Sequence, residues 1–326
     1  MPTSAERATI LIAEAPGTPA VLDVAEVPRP TPGPGEVLVE VRAVAVTPRD
    51  VRLRAGRPRP GDGDPRICFP WTPGTDLAGV VRRAGPGVTA LAPGDRVAGI
   101  VAGACASHVV ASERSLAAIP GELADDEVAA TIGPAAIAWQ ALELAGDLPR
   151  RRVLVTHATT AIGRALVQLA ADRHARVVAV AGDDGIDELA ALGAEETIDT
   201  RLVPYAAVAI QSDVVVTEVD EPGPLHEHHP MHQALAATDR RGLLLSLASP
   251  PPEDASRKQV RAPRIPEPGR EALQAAILLL REGIVRPTLD PGPTVDDPRD
   301  AHAYVEHRGD RRGTIVIRPP RAPTDR

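Results

Sequence analysis

Two short stretches of the chain carry side chains that could take part in a reaction. Thr47 and Asp50 stand three residues apart in the turn Val46-Thr-Pro-Arg-Asp50, and His157 opens the stretch His157-Ala-Thr-Thr-Ala-Ile-Gly163. A threonine hydroxyl can hydrogen-bond a substrate carbonyl but is a poor proton donor at pH 7. A neutral imidazole can act as a base or as a donor, and carboxyl groups such as those of Asp50 and Asp76 can move a proton. The sequence therefore offers groups for positioning and for proton transfer.

Side chains that commonly bind metal ions are few. The stretch His226-Glu-His-His229, with His232, is the one histidine cluster, and flanking Pro and Gly residues favour a solvated loop there. Cys68 and Cys105 are the only cysteines, so a four-cysteine zinc lobe is excluded and a single disulfide is the one bridge that they could form. We therefore predict no metal site.

The composition is that of a soluble globular protein. The chain has 326 residues, of which 43% are hydrophobic and 25% charged, and this length predicts roughly two domains. The net charge of −8 implies no attraction to nucleic acid or to anionic lipid. The longest apolar candidate for a membrane span, residues 97–111, is too short, and no secretory signal is visible. We expect a cytoplasmic protein that binds a small molecule.

The elements that must position the reactive groups follow two patterns. In the first third of the chain, short strands alternate with glycine-rich turns, which favours a β-barrel-like unit. From about residue 123 onward, helical stretches alternate with apolar strands, which predicts a parallel, doubly wound sheet of the α/β class. The predicted strands there are 152–156, 176–181, 196–199, 213–217 and 242–247, and a final strand is predicted at 313–318. The predicted helices are 125–145, 187–192, 271–282 and one that buries Ile162, Ala165, Leu166, Leu169 and Ala170.

The order of these pieces resembles the medium-chain dehydrogenase/reductase superfamily, and within it the zinc-free quinone oxidoreductase and enoyl reductase branch. The resemblance covers nearly the whole chain. It is carried by Pro32-Gly-Pro-Gly-Glu-Val-Leu-Val-Glu-Val-Arg42, Pro73-Gly-Thr-Asp-Leu-Ala-Gly-Val-Val81, Gly85-Pro-Gly-Val88, Pro93-Gly-Asp-Arg-Val-Ala-Gly99, Ala165-Leu-Val-Gln-Leu-Ala170, Leu192-Gly-Ala194 and Gly313-Thr-Ile-Val-Ile317.

The resemblance implies two domains and a cleft between them. A GroES-like catalytic domain would comprise residues 1–122 and 264–326, and a Rossmann domain would comprise residues 123–263. It further implies a homodimer formed through the Rossmann sheet. Zinc-dependent relatives carry a cysteine near position 47 and a His-Glu pair near position 75, where this chain has Thr47 and Thr75-Asp76. The resemblance thus implies a zinc-independent protein.

The loop after the first Rossmann strand departs from the pattern of relatives that bind NADPH. These relatives have a small residue, two spacers, Gly, two spacers and Gly, where this chain has His157, Thr160 and Gly163. Gly163 mainly lets the helix pack on the strand, whereas a side chain at position 160 intrudes where backbone N–H groups meet pyrophosphate. The cofactor residues that the resemblance implies in this loop are Thr159, Thr160, Ala161, Ile162 and Gly163.

The adenosine end of the implied site bears on the choice between NADH and NADPH. Asp183 is 20 residues beyond Gly163, a spacing at which a carboxylate can hold the ribose hydroxyls of NAD, and it can equally be a solvated loop residue. A carboxylate would repel the 2′-phosphate of NADPH, although Arg201 could offset this. The sequence is compatible with either NADH or NADPH.

At the chemical end, the resemblance places Thr47, Asp50 and Trp139 near the nicotinamide and the substrate. A structural role for Asp50 and a packing role for Trp139 are the alternatives. The first function hypothesis is a reductase that passes a hydride from NADH or NADPH to the β-carbon of an enone or quinone, with a polyketide-like molecule among its candidate substrates. The second is a cofactor-independent cyclase or isomerase of natural-product biosynthesis. There His157 would act as base or donor, unless it merely caps the helix that follows.

Overall fold

The computed structural model describes residues 7–58, 68–182, 184–209, 211–218, 230–247, 260–263, 265–290, 297–308 and 313–320. The chain divides into two compact units. The first unit is formed by Met1–Pro58, Arg66–Gly133 and Pro268–Arg326, and the second contains Pro134–Glu267. The predicted domain boundaries were residues 122/123 and 263/264, and the observed divisions fall at 133/134 and 267/268.

The described residues form thirteen strands and seven α-helices. The strands are β1 (Arg7–Ala13), β2 (Leu22–Pro28), β3 (Glu36–Val46), β4 (Asp76–Ala84), β5 (Arg96–Ile100), β6 (His108–Ser112), β7 (Leu116–Ala118), β8 (Arg152–Val155), β9 (Arg176–Ala181), β10 (Glu196–Asp199), β11 (Ser212–Thr217), β12 (Thr238–Ser246) and β13 (Ile315–Ile317). The helices are α1 (Pro48–Arg54), α2 (Asp125–Ala145), α3 (Ala161–Asp172), α4 (Tyr205–Val208), α5 (Pro230–Ala237), α6 (Arg270–Arg281) and α7 (Pro298–Arg308).

The first unit is built on antiparallel strands. Its main sheet has the order β13-β3-β4-β5-β7, and β6 pairs with the first half of β3, while β1 and β2 form a separate hairpin. Strand β3 leaves only Glu36, Glu40 and Arg42 part-buried or exposed and buries all of its last four residues, as expected for a strand whose end lies inside the core. The core is aliphatic, in keeping with the five aromatic residues of the whole chain. This unit is the GroES-like domain that the sequence predicts.

The second unit is a parallel sheet of the Rossmann type, which confirms the α/β prediction. The strand order is β10-β9-β8-β11-β12, and every neighbouring pair is parallel. The chain runs from β8 outward through β9 to β10, then returns to β11 on the other side of β8. The strand order therefore reverses between β8 and β11, and ligands of such sheets bind in the crevice at the carboxyl ends of the strands at this point.

Several local predictions need correction. The predicted helix at 187–192 is a 3-10 helix at Asp184–Glu188 followed by turns, because Gly185 and Gly193 bracket a stretch too short for a stable α-helix. The final strand is shorter than predicted, and Ile162 is half-buried because it lies in the first turn of α3. Cys68 is exposed and Cys105 is buried, and the disulfide that the two could have formed is not present.

Helix α2 is long and apolar enough to cross a bilayer by length and composition. Two thirds (67%) of its apolar window is buried within the protein, as is typical of a core helix. Pro134 lies inside α2 and lacks the N–H that would pair with the carbonyl of Ala130. The hydroxyl of Thr314 lies 3.4 Å from that carbonyl oxygen and donates to it instead.

Candidate active site

Thr47 and Asp50 form the start of helix α1. Thr47 is the N-cap residue, its hydroxyl oxygen accepts from the backbone N–H of Asp50 (3.3 Å), and Pro48 begins the helix. The Asp50 carboxylate accepts in return from the Thr47 backbone N–H (2.9 Å) and from its hydroxyl (2.6 Å), both through Oδ2. This reciprocal arrangement is a capping box, which satisfies N–H groups that a helix leaves unpaired at its start.

The second oxygen of Asp50 ties this helix start to the turn before β4. Oδ1 accepts from the backbone N–H of Gly74 at 2.9 Å, and the Asp50 side chain is buried. Gly74 has a φ of +91°, and a Cβ there would lie 2.8 Å from the Sγ of Cys105. Both carboxylate oxygens of Asp50 thus accept hydrogen bonds from backbone N–H groups and hold the local backbone in place. These are the hydrogen bonds of a structural residue, and a catalytic role for Thr47 or Asp50 stays a prediction.

Asp76 is a buried carboxyl at the first residue of β4. Burial raises its pKa to about 7, against a smaller lowering effect of the hydrogen bond from the Thr75 hydroxyl (3.1 Å). The negative charge of Asp50 raises it further, and the positive charge of Arg49 lowers it. A Cβ on Gly133 of α2 would lie 2.1 Å from Oδ2 of Asp76, so glycine at that position leaves room for the carboxyl group. A substantial fraction of this group is protonated near neutral pH.

A second buried polar cluster joins α1 to α7, and sequence reasoning missed it. His302 is fully buried, and the side chain of Arg54 is also fully buried, with Nη2 2.7 Å from Glu306 and Nε 3.2 Å from the carbonyl oxygen of Gly17. Within the described part of the chain, neither ring nitrogen of His302 has a hydrogen-bond partner. Burial lowers the pKa of His302 to about 4, opposed by the charge of Asp50. Helix α7 buries only Ala301, His302 and Val305, so the sequence carried little signal for this cluster.

In the second unit, the β8–α3 turn holds most of the predicted cofactor residues. His157 is exposed and has a φ of +53°, and its Nδ1 lies 3.2 Å from the Thr156 hydroxyl. A Cβ on Gly163 would lie 2.3 Å from the carbonyl oxygen of His157, so glycine is needed where α3 crosses the turn. The structure therefore gives Gly163 the packing role that the sequence assigned to it. His157 is not the cap of α3, because that position belongs to Thr160.

Thr160 makes two hydrogen bonds at the start of α3. Its hydroxyl oxygen accepts from the backbone N–H of Gly163 at 3.0 Å, and the same hydroxyl donates to Oε1 of Glu218 at 2.8 Å. Glu218 follows β11 directly, so this contact lies between β8 and β11, where the strand order reverses. Sequence reasoning missed Glu218. The signal was available, because it is the first charged residue after the apolar run of a central parallel strand.

The ends of β9 and β10 carry the remaining predicted residues. Arg201 is exposed and pairs with Asp199, with Nη2 2.7 Å from Oδ2, and hydrogen bonds from Arg201 lower the pKa of Asp199. Asp183 lies outside the described residues. A surface pocket of about 450 Å³ is lined in part by Asp199, Ile186 and Leu202.

The structure brings two groups of predicted residues together, each within its own unit. Thr47 and Asp50 are in direct contact in the first unit. His157 and the residues from Thr159 to Gly163 share one turn in the second unit, where Trp139 is half-buried on α2. Among the described residues, no group of three or more His, Cys, Asp or Glu side chains could hold a metal ion. The cluster His226-Glu-His-His229 lies outside the described residues.

The backbone of the β8–α3 turn fits a dinucleotide. It lies at the reversal of strand order, it leads into a helix N-terminus, and it has the close approach at Gly163 that this packing requires. The side chains of Thr160 and Glu218 depart from the usual pattern of a dinucleotide-binding turn, because they place a carboxylate beside the start of α3. The groups that would hold a pyrophosphate here are the backbone of residues 159–163 and the dipole of α3.

Comparisons with known proteins agree with this architecture. The family described as alcohol dehydrogenase GroES-like domain matches residues 33–129. A chloroplast envelope quinone oxidoreductase homolog of Arabidopsis thaliana is 29% identical over 93% of this chain and 95% of its own length. The GroES-like match and this relative support the resemblance of the chain to the medium-chain dehydrogenase/reductase superfamily. Its similarity to quinone oxidoreductases supports the branch of that superfamily that the sequence resembles.

Two further proteins are similar to this chain. The structure of the quinone oxidoreductase from Coxiella burnetii superposes with a TM-score of 0.82 at 23% identity, covering 97% of this chain and 100% of that one, which shows a shared fold. A mycocerosic acid synthase-like polyketide synthase of Mycobacterium tuberculosis is 36% identical over 59% of this chain. The match spans only 9% of that protein's length.

Proposed function

We propose that this protein is a zinc-independent reductase that uses NADH or NADPH to reduce an enone or quinone, with polyketide-like molecules among its candidate substrates. The observation that carries the proposal is the β8–α3 turn at the reversal of strand order, in a chain of the quinone oxidoreductase-like branch. The similarity to one segment of a polyketide synthase supports the substrate class. The activities of these relatives are properties of those proteins and reach this chain only as part of the proposal.

The hydrogen bonds of Thr47 and Asp50 limit the roles that these residues can take in the reaction. When bound, the reduced nicotinamide supplies a hydride to the β-carbon of the substrate, and a proton must then reach the α-carbon. The hydroxyl of Thr47 already donates a hydrogen bond to Asp50. Thr47 can therefore accept a hydrogen bond from a ligand, but its hydroxyl hydrogen is engaged. We therefore assign the protonation to water and assign Thr47 and Asp50 to shaping the site.

Zinc independence rests on the donor set. The positions at which zinc-dependent relatives carry a cysteine and a His-Glu pair are Thr47, Thr75 and Asp76. The hydroxyls of both threonines donate to carboxylates, and the Asp76 carboxyl has its pKa raised to about 7. Zinc sites are made of thiolate, imidazole and ionised carboxylate ligands, so this set is poorly suited to the ion.

NADH is the better-supported nucleotide. The guanidinium of Arg201, the group that could hold a 2′-phosphate, is engaged by Asp199. NADPH would have to draw Arg201 away from this carboxylate, whereas ribose hydroxyls carry no such requirement. A cytoplasmic homodimer completes the proposal.

The test is titration of the purified protein with NADH and, separately, with NADPH, followed by nicotinamide fluorescence. We expect saturable binding with NADH the tighter ligand, and consumption of bound NADH when a panel of enones and quinones is added. Added zinc and the chelator EDTA should leave turnover unchanged. If neither nucleotide binds at millimolar concentration, a free energy of binding weaker than about −4 kcal/mol, the reductase proposal is overturned and the cyclase or isomerase hypothesis becomes the better one.

A further inference from the structure

The carboxylate of Glu218 lies where the fold would receive a phosphate. It follows β11, it accepts from the Thr160 hydroxyl at 2.8 Å, and that hydroxyl in turn accepts from the Gly163 backbone N–H at 3.0 Å. One hydroxyl group therefore separates Glu218 from the N-terminus of α3. Helix N-termini attract anions because their N–H groups are unpaired and the helix dipole is positive there. The chain supplies an anion of its own at this position.

We propose that Glu218 is an internal competitor of the cofactor's pyrophosphate and that Thr160 is the residue that holds it in place. The inference rests on the proposed function. A pyrophosphate at the start of α3 would meet the Glu218 carboxylate, and the two like charges repel each other. Binding therefore requires Glu218 to turn away from Thr160. The nucleotide affinity of this chain is set by that displacement as well as by the contacts that the nucleotide makes.

The chemistry of the competition predicts which ligands it affects. NADH, NADPH and ADP-ribose all carry the pyrophosphate, so Glu218 should weaken their binding by a similar factor. Adenosine has no phosphate and should be indifferent to Glu218. A like-charge repulsion of this kind in a partly solvated site should weaken the binding of these ligands by a factor of roughly ten.

The experiment compares Glu218→Gln with wild type and with a matched control. Glutamine keeps the shape of the side chain and an oxygen that can accept from Thr160, and it removes the charge. The control is Glu143→Gln, which removes the same charge from a pair with Arg173 (2.6 Å) at the opposite end of α3. A second variant, Thr160→Gly, removes the hydroxyl that holds Glu218 and restores the residue found in relatives that bind NADPH. Circular dichroism verifies that each variant is folded.

Calorimetric titration with ADP-ribose, NADH, NADPH and adenosine separates the outcomes without measuring turnover. We expect Glu218→Gln and Thr160→Gly to bind the three pyrophosphate ligands about tenfold more tightly than wild type, with adenosine unchanged and Glu143→Gln equal to wild type. If wild type and Glu218→Gln bind ADP-ribose equally, or if Glu143→Gln gains as much, the inference is overturned while the proposed function stands. If no variant binds any dinucleotide at millimolar concentration, the proposed function is overturned and the inference with it.

Discussion

Replacing Asp76 by Asn should make the protein more stable at neutral and alkaline pH. Burial raises the pKa of Asp76 to about 7 from an ordinary value of 3.8, so the folded state keeps a proton that the unfolded chain releases. The free energy of unfolding therefore falls as the pH rises from about 4 through 7. The full effect, at about 1.4 kcal/mol per pH unit, is about 4 kcal/mol. Asparagine resembles the protonated acid in shape and cannot ionise, so the variant escapes this loss.

The assay is urea unfolding of wild type and Asp76→Asn at pH values from 4 to 9, followed by circular dichroism. The difference in free energy of unfolding between them should grow with pH and level off above pH 8. Glu40→Gln is the control, because the hydrogen bond from Arg82 lowers the pKa of Glu40 and its charge is constant over most of this range. Its curve should run parallel to that of wild type. A difference between Asp76→Asn and wild type that does not vary with pH would refute the reasoning.

Three further predictions concern the other buried groups. Because burial lowers the pKa of His302 to about 4, the free energy of unfolding should fall by about 3 kcal/mol as the pH drops from 6.5 to 4. His302→Phe should lose this dependence in the same urea series. Gly163→Ala places a Cβ 2.3 Å from the carbonyl oxygen of His157 and should cost about 1–3 kcal/mol, measured by calorimetry against Gly121→Ala, where a Cβ meets open space and φ is not positive. Asp50→Asn should cost about 1–3 kcal/mol, because it leaves a buried N–H donor such as that of Gly74 facing an amide N–H, and an unchanged unfolding midpoint would contradict this assignment.

The parallel sheet of the second unit could be predicted because its strands are continuous apolar runs. Residues 153–155 and 214–216 are fully buried, and burial on both faces leaves an unmistakable pattern in the sequence. The start of α1 could also have been predicted in more detail, since Thr47-Pro-Arg-Asp50 has the spacing of a capping box with proline at the first helical position. What the sequence could not distinguish there was a carboxylate that supports a turn from one that acts on a substrate.

Contacts between distant parts of the chain account for what the sequence could not predict. Helix α7 is mostly polar and buries only Ala301, His302 and Val305, so neither its packing on α1 nor the surroundings of His302 follow from periodicity. The contact of Thr160 with Glu218 joins residues 58 positions apart through the order of the strands. Glycine at position 163 was interpreted correctly because the close approach it permits is local.

The last strand of the first unit has a consequence for how the protein is made. Residues 315–317 pair with residues 44–46, so β3 gains this neighbour only after about 270 further residues have left the ribosome. The second unit, whose main segment runs from residue 134 to 267, is synthesised before then, and domains generally fold as units during synthesis. The apolar end of β3 leads directly to Thr47. Until β13 has been synthesised, the backbone hydrogen-bonding groups along this edge of β3 lack that partner strand. We therefore expect the parallel-sheet unit to fold first during synthesis, and the sheet of the first unit to be completed only when β13 has been made.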